Sequence, residues 1–170
     1  MSIEPVQRKG MIMEAEKRRR EINLITIGTG VILFGLWTVI KIALSNILIG
    51  IKIDGVMSDD LILLINIVLW VFVGIDFLAR CYIGFSARAE GKGKHKNIFY
   101  LILTGLMVAT YSTMIPLEIS AIFTSGEDVL NMIITIGIDI TSIAFLVELM
   151  INSIGLRKIK KLQSVKGEQV

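Results

Sequence analysis

Charged residues inside long apolar runs are the feature of this chain that could do chemistry. They are Asp76, Arg80, Lys41, Glu118, Asp139 and Glu148. An ionised side chain near the centre of a bilayer costs on the order of 3 kcal/mol or more, so such groups usually face a protein interior and pair with one another or with water. Carboxylates in that setting serve proton relays and cation pathways. We therefore predict an intramembrane polar network built from these side chains.

The depth of each charge along its run divides the set into two layers. At about 1.5 Å of rise per residue, every member lies roughly 5 to 11 Å from the middle of its run. The outer layer consists of Lys41, Glu118 and Asp139, and the inner layer of Asp76, Arg80 and Glu148. Full ionisation would leave an excess of negative charge in low dielectric. Protonated carboxyl groups, a bound cation or a partner helix that brings a base would each neutralise it, and the sequence leaves these alternatives open.

Two of these positions carry specific expectations. Asp76 precedes Arg80 by one helical turn, the orientation that favours a side-chain pair along one helix face. Arg80 is also close enough to the cytosolic edge to snorkel, and Lys41 and Glu118 can reach the outer headgroups, so we expect snorkelling for these three. Asp139 is a short carboxylate near the middle of its run, where it must be neutral, paired or beside a wet cavity. Asp139 is therefore the leading functional candidate.

Four apolar runs must position these charges. The chain has 170 residues, of which 54% are hydrophobic, and a mean hydropathy of +0.72. The runs cover about 22–51, 61–85, 98–123 and 129–156, and each reaches the roughly 18 to 20 residues that a helix needs to cross a bilayer. Continuous rather than alternating apolarity favours helices over barrel strands. The predicted fold class is an all-α integral membrane protein, an antiparallel bundle of four transmembrane helices.

Charge outside the runs predicts the orientation of the chain. Residues 1–21 form a basic N-terminal segment, 22–156 the transmembrane domain and 157–170 a basic tail, and a further basic loop joins the second and third runs. The two alternate connectors are acidic. The positive-inside rule then places both termini and the middle loop in the cytoplasm of a multi-pass protein of the cell membrane.

Basic side chains in these segments are suited to bind anionic lipid, at about 1 kcal/mol for each one near the surface. The candidates are Lys17, Arg18, Arg19, Arg20, Lys92, Lys94, Lys96, Arg157, Lys158, Lys160 and Lys161. We therefore expect the lipid bilayer to be a direct partner of the chain.

Two helix faces are distinctive. On the fourth run, polar residues share one side of the helix when successive residues are placed 100° apart. This polar arc consists of Asn131, Thr135, Asp139 and Ser142 and is extended by Glu148 and Asn152. This run should face the bundle. On the third run, small residues recur at three- and four-residue spacing, namely Gly105, Ala109, Ser112, Pro116 and Ser120. Such a face lets another helix approach closely, and we expect close packing there.

One short segment resembles a known family. In residues 70–80 of the second run, Trp70, Phe72 and Phe77 accompany Asp76, and Arg80 follows one turn later. With Leu78, this pattern resembles the second helix of voltage-sensor domains, which also have four helices with both ends inside. The fourth run here has no arginine at every third position, so the resemblance does not extend to gating charge. We interpret it as a shared way of pairing charges between helices.

Composition limits the function. The chain has one histidine, His95, and one cysteine, Cys81, which excludes histidine-based metal or nucleophile sites in the membrane and metal sites built from several thiols. No polar stretch is long enough for a soluble catalytic domain. We predict a non-enzymatic interacting or regulatory membrane subunit without cofactor, metal or nucleic acid, whose partner is another membrane protein or a second copy. The alternative is a cation or proton permeation element with Asp139 at its centre.

Overall fold

The chain forms four long α-helices. The computed structural model describes the backbone of residues 5–49, 59–94, 97–125 and 129–167, and the side chains of 10–44, 60–94, 97–117, 119–120 and 136–164. Within these ranges the helices are α1 (Pro5–Ile49), α2 (Asp59–Gly91), α3 (Phe99–Ser125) and α4 (Val129–Gly167). Each contains a segment long and apolar enough to cross a membrane: Gly10–Leu44, Asp60–Gly91, Phe99–Leu117 and Ile136–Ser164. The prediction of an all-helical chain with four such helices is confirmed.

The helices continue into the basic segments. α1 begins at Pro5, well before the apolar run. Proline suits the first turn of a helix because its φ is fixed and it lacks an N–H. α2 extends to Gly91 through residues expected in a loop, and α4 extends to Gly167 through the expected tail. α2 stops where Gly93 adopts a φ of 82°. There Lys94 N–H donates to the Ala89 carbonyl and Gly93 N–H to the Glu90 carbonyl, each at 3.0 Å, which closes the helix with a Schellman motif.

Glycines set the closest approach between two helices. A Cβ at position 84 of α2 would lie 2.5 Å from the Gly28 carbonyl oxygen of α1, and a Cβ at position 28 would lie 2.7 Å from the Gly84 carbonyl oxygen. One heptad further along α2, a Cβ at Gly91 would lie 2.6 Å from the Glu21 carbonyl oxygen. Only glycine allows backbones to meet at these distances. The α1 and α2 backbones are therefore packed face to face at these positions.

The remaining helices pack around this pair. α4 contacts α1 and α3 extensively, whereas α2 and α3 share a smaller contact. Between α1 and α4, the Phe145 ring fills the space above Gly30, and the rings of Phe34 and Phe145 pack at a tilt of 59° with centroids 5.2 Å apart. In the part of the chain that is described, the seam between α2 and α3 is looser than the seams of α1 with α2, α1 with α4 and α3 with α4.

The core lies in one half of the structure. Among the described side chains, every buried residue falls within 24–35, 80–91, 100–107 or 142–159. These ranges adjoin the basic segments, and the apolar core there includes Leu24, Val31, Ile83, Leu146 and Leu149. We call this the basic half of the structure. In the opposite half, the described side chains are half-buried or exposed.

Most of the small-residue face of α3 is exposed in the part of the chain that the structure describes. Ala109, Ser112, Pro116 and Ser120 are exposed, and only Gly105 is half-buried, next to Met150 of α4. The expectation of close packing is therefore wrong within this chain. α3 instead uses larger side chains, including Tyr100, Met107 and Tyr111, against its neighbours. Of the polar arc on α4, Ser142 and Asn152 are buried, while the side chains of residues 131 and 135 lie outside the described part.

Candidate functional site

A hydrogen-bonded charge cluster joins three helices around Arg80, and we call it the Arg80 network. Arg80 of α2 is 1% exposed. Its Nε donates to Asp76 Oδ2 at 2.9 Å, its Nη1 to Ser142 Oγ of α4 at 2.8 Å, and its Nη2 to the Tyr111 hydroxyl of α3 at 2.6 Å. The Tyr111 hydroxyl in turn donates to Asp76 Oδ1 at 2.7 Å. Each edge of the guanidinium is therefore met by an oxygen.

Local sequence explains how so large a cation is buried. The predicted pairing of Asp76 with Arg80 is confirmed, since the two form an ion pair one turn apart. Gly35 of α1 makes room for the stem of the arginine, because a Cβ there would lie 2.9 Å from Arg80 Cδ. The expectation that Arg80 snorkels is wrong: three oxygen partners and the space left by a glycine hold its side chain inside.

The Arg80 network is electrically balanced. One guanidinium faces one carboxylate, and both side chains make further hydrogen bonds, which is the condition under which a buried ion pair is tolerated. Removal of either partner would leave an uncompensated charge. The Arg80 network is therefore suited to hold α2, α3 and α4 together.

A second network holds the helix ends of the basic half, and we call it the Glu90 network. Glu90 of α2 is 3% exposed. Arg157 of α4 binds both of its carboxylate oxygens, with Nε donating to Oε1 at 2.8 Å and Nη2 to Oε2 at 2.9 Å. The Tyr100 hydroxyl of α3 also donates to Oε2. That hydroxyl is 2.6 Å from Ser153 Oγ. The same three helices are thus joined a second time.

Sequence reasoning missed the Glu90 network. Glu90 belongs by sequence to the basic loop between the second and third runs, and Arg157 is one of the residues predicted to contact anionic lipid. The structure instead pairs the two side chains. The signal was present in the spacing: Arg80, Ile83, Ala87 and Glu90 continue one helical face past the end of the apolar run. Extending the helix through the loop would have placed Glu90 on the buried side.

The other predicted charges are not among the contacts that the structure describes for the Arg80 network. Lys41 of α1 and Asp139 of α4 are half-buried, and the Glu118 side chain lies outside the described residues. Glu148 is exposed and faces a separate cavity of about 320 Å³ beside Arg19 and Arg20 of α1. Glu148 therefore does not join Asp76 and Arg80, because its side of α4 faces α1 and not α2.

Several of the basic residues assigned to lipid are engaged within the chain. Arg20 pairs with Glu16 at 2.8 Å and donates to the Ile151 carbonyl at 3.3 Å, while Lys17 donates to Gln163 at 3.3 Å. Those with exposed side chains are Arg18, Arg19, Lys92, Lys94, Lys158 and Lys161, and Lys160 is half-buried. Lys96 lies outside the described residues. The exposed set is the part of the prediction that remains suited to anionic lipid.

An apolar cleft of about 450 Å³ opens along the loose seam between α2 and α3. Its lining residues are Thr38, Ile42, Phe72, Val73, Ile75, Asp76, Ala79, Leu103, Leu106, Met107, Thr110, Tyr111 and Met114. Asp76 and Tyr111 belong both to this lining and to the Arg80 network. The cleft therefore ends on a charged, hydrogen-bonded floor.

Comparison with known proteins gives no relative: no family model, no curated protein and no solved structure matches the chain.

Proposed function

We propose that the chain is a multi-pass protein of the cell membrane, an antiparallel four-helix bundle with both ends in the cytoplasm. Four apolar helices and basic segments on one side support this placement. Contact pairs support the antiparallel order, since Gly28 faces Gly84 while Glu21 faces Gly91, so that α1 and α2 run in opposite directions. In this placement the basic half faces the cytoplasm.

Within that membrane the protein acts as a non-enzymatic interacting subunit that binds another transmembrane helix through α3. The observation that carries this proposal is the exposure of Ala109, Ser112, Pro116 and Ser120 on one face. Small residues let helix backbones approach closely in lipid, where van der Waals packing drives association. The chain uses close backbone approach at glycines between α1 and α2, and it leaves the small-residue face of α3 exposed.

The charge networks favour this proposal over the permeation element. A cation pathway needs carboxylates that exchange their partners, whereas Asp76 and Glu90 each bind a resident arginine. Asp139 remains the centre of the alternative. Purified protein in liposomes, with a potential imposed, should pass no cations or protons; flux that Asp139→Asn abolishes would replace the subunit proposal with the permeation element.

Photocrosslinking in cells tests the binding face. A photoreactive residue at position 109 should give one crosslinked product of defined mass, whether with a second copy or with another membrane protein, and Ser112→Leu should reduce its yield about tenfold by blocking close approach. Gly137→Leu is the matched control, because Gly137 is an exposed small residue of α4 with no neighbour within 4 Å. Absence of any product from position 109, or equal loss with both variants, would contradict the proposal.

A further inference from the structure

The ion pair at the floor of the α2–α3 cleft is asymmetric. The Asp76 side chain keeps 28% of its surface exposed, whereas that of Arg80 keeps 2%. The carboxylate lines the cleft and the guanidinium lies behind it, beyond contact with the cavity. An entering molecule therefore meets the negative end of a pair that is neutral as a whole.

Asp76 also retains capacity for further hydrogen bonds. An ionised carboxylate offers about four lone-pair positions, and here Oδ2 accepts one bond from Arg80 and Oδ1 accepts one from Tyr111. A cationic ligand would add net charge to a balanced pair in low dielectric, and an anionic ligand would face the carboxylate directly. A neutral group with an O–H donor can bond to one of the remaining acceptor positions without either cost.

The rest of the cleft lining favours a ligand whose main part is apolar. Apart from Asp76, Tyr111 and two threonines, its lining is aliphatic, aromatic or thioether. Both threonine hydroxyls are bonded to their own helix, Thr38 to the Phe34 carbonyl and Thr110 to the Leu106 carbonyl. The volume of about 450 Å³ falls within the range of roughly 300 to 1,000 Å³ typical of small-molecule sites.

Depth in the bilayer restricts the ligand further. In the placement proposed above, Asp76 lies roughly 5 Å from the midplane, counted from the middle of its apolar run. A phospholipid headgroup is held at the interface, so its donors cannot reach that depth. The donor must instead end an apolar chain that enters sideways from the hydrocarbon region, past exposed Phe72 and Met114.

We propose that the cleft between α2 and α3 binds an uncharged amphiphile, an apolar chain that ends in a hydroxyl group and donates a hydrogen bond to Asp76. The site rests on the proposed membrane placement but not on the binding face of α3. At 100° per residue, Leu103, Met107 and Thr110 lie about 140° around the helix from the small-residue face. A bound amphiphile and a bound helix therefore use different surfaces.

The test uses the full-length protein in phosphatidylcholine nanodiscs and a photoreactive 1-dodecanol with a diazirine in its chain. Labelling should be saturable and should map to cleft residues such as Leu106, Met107 and Met114. Unlabelled 1-dodecanol should compete, whereas dodecyl methyl ether, which lacks the donor, should compete about tenfold more weakly, as should dodecanoate. Equal competition by alcohol and ether, or labelling that never saturates, would overturn the proposal.

A pair of threonines on α3 supplies the control. Thr110 lines the cleft and Thr113 does not; both are exposed and both bond to their own helix backbone. Thr110→Phe should abolish saturable labelling by filling the mouth of the cleft, and Thr113→Phe should leave it unchanged. Equal behaviour of the two variants would contradict the site, while loss of helix crosslinking from position 109 would leave it unaffected. The two proposals therefore fail separately.

Discussion

At the scale of single residues, the hydroxyl of half-buried Tyr111 connects both charged partners of the Arg80 network. The Tyr111 hydroxyl accepts from Arg80 Nη2 and donates to Asp76 Oδ1. Its ring also lies against the guanidinium, whose Cζ is 4.9 Å from the ring centroid. Phenylalanine at this position would keep the ring and remove both hydrogen bonds.

Tyr111→Phe should lower the free energy of unfolding by about 1–3 kcal/mol, because a buried guanidinium and carboxylate each lose a hydrogen-bond partner. Tyr82→Phe is the matched control. Tyr82 is 44% exposed and its ring meets Phe99 edge-on, a contact that phenylalanine keeps, so we expect a change within about 0.5 kcal/mol. Reversible unfolding in mixed micelles measures both values. Equal effects would show that the Tyr111 hydroxyl contributes no more than an exposed one.

Sequence reasoning reached part of this site. The sequence predicts the Asp76–Arg80 pair because the two residues are one turn apart on the same helix, so their interaction is local. Ser142 and Tyr111 could not be assigned to it, since they reach Arg80 only through the packing of three helices. The same limit separated Glu148 from the pair: depth along a run is readable from residue number, whereas the direction a side chain faces depends on the neighbouring helix.

At the scale of helices, packing is tight at the glycines of α1 and α2 and loose at the seam of α2 with α3. The recurrence of small residues on the third run predicts close approach there, whereas the described contacts place it at the glycines of α1 and α2. A small-residue face can serve a helix of the same chain or of another, and spacing alone does not distinguish them. The presence of four membrane-length helices was readable because it depends on apolar length, which is a property of each run by itself.

Gly84→Ala should destabilise the protein, because the added methyl group would lie 2.5 Å from the backbone oxygen of Gly28 and would push α1 away from α2. We expect a loss of about 1–3 kcal/mol in the free energy of unfolding, the usual cost of overpacking. Gly74→Ala on the same helix has no neighbour within 4 Å and should be neutral or stabilising by up to about 1 kcal/mol, through helix propensity. Equal losses in the two variants would contradict the packing at Gly84.

At the scale of the whole molecule, burial and charge are concentrated at the same end. The basic segments, the two arginine networks and the apolar core occupy one half, and the other half is open along its described length. In the orientation proposed above, this half is the cytoplasmic end, and the other half can open to admit a ligand or a partner helix while the core stays intact. Both proposals above depend on this difference between the two halves.

Thiol labelling in intact cells tests the orientation on which that interpretation rests. In a Cys81→Ser background, a cysteine at Lys94, in the basic loop, should react with a membrane-impermeant maleimide only after permeabilisation. A cysteine at Asp60, at the opposite end of α2, should react without it. Both positions are exposed in the structure, so a difference between them reports the side of the membrane and not burial. Labelling of Lys94→Cys in intact cells, with Asp60→Cys protected, would invert the topology, because the three basic segments would then lie outside against the positive-inside rule.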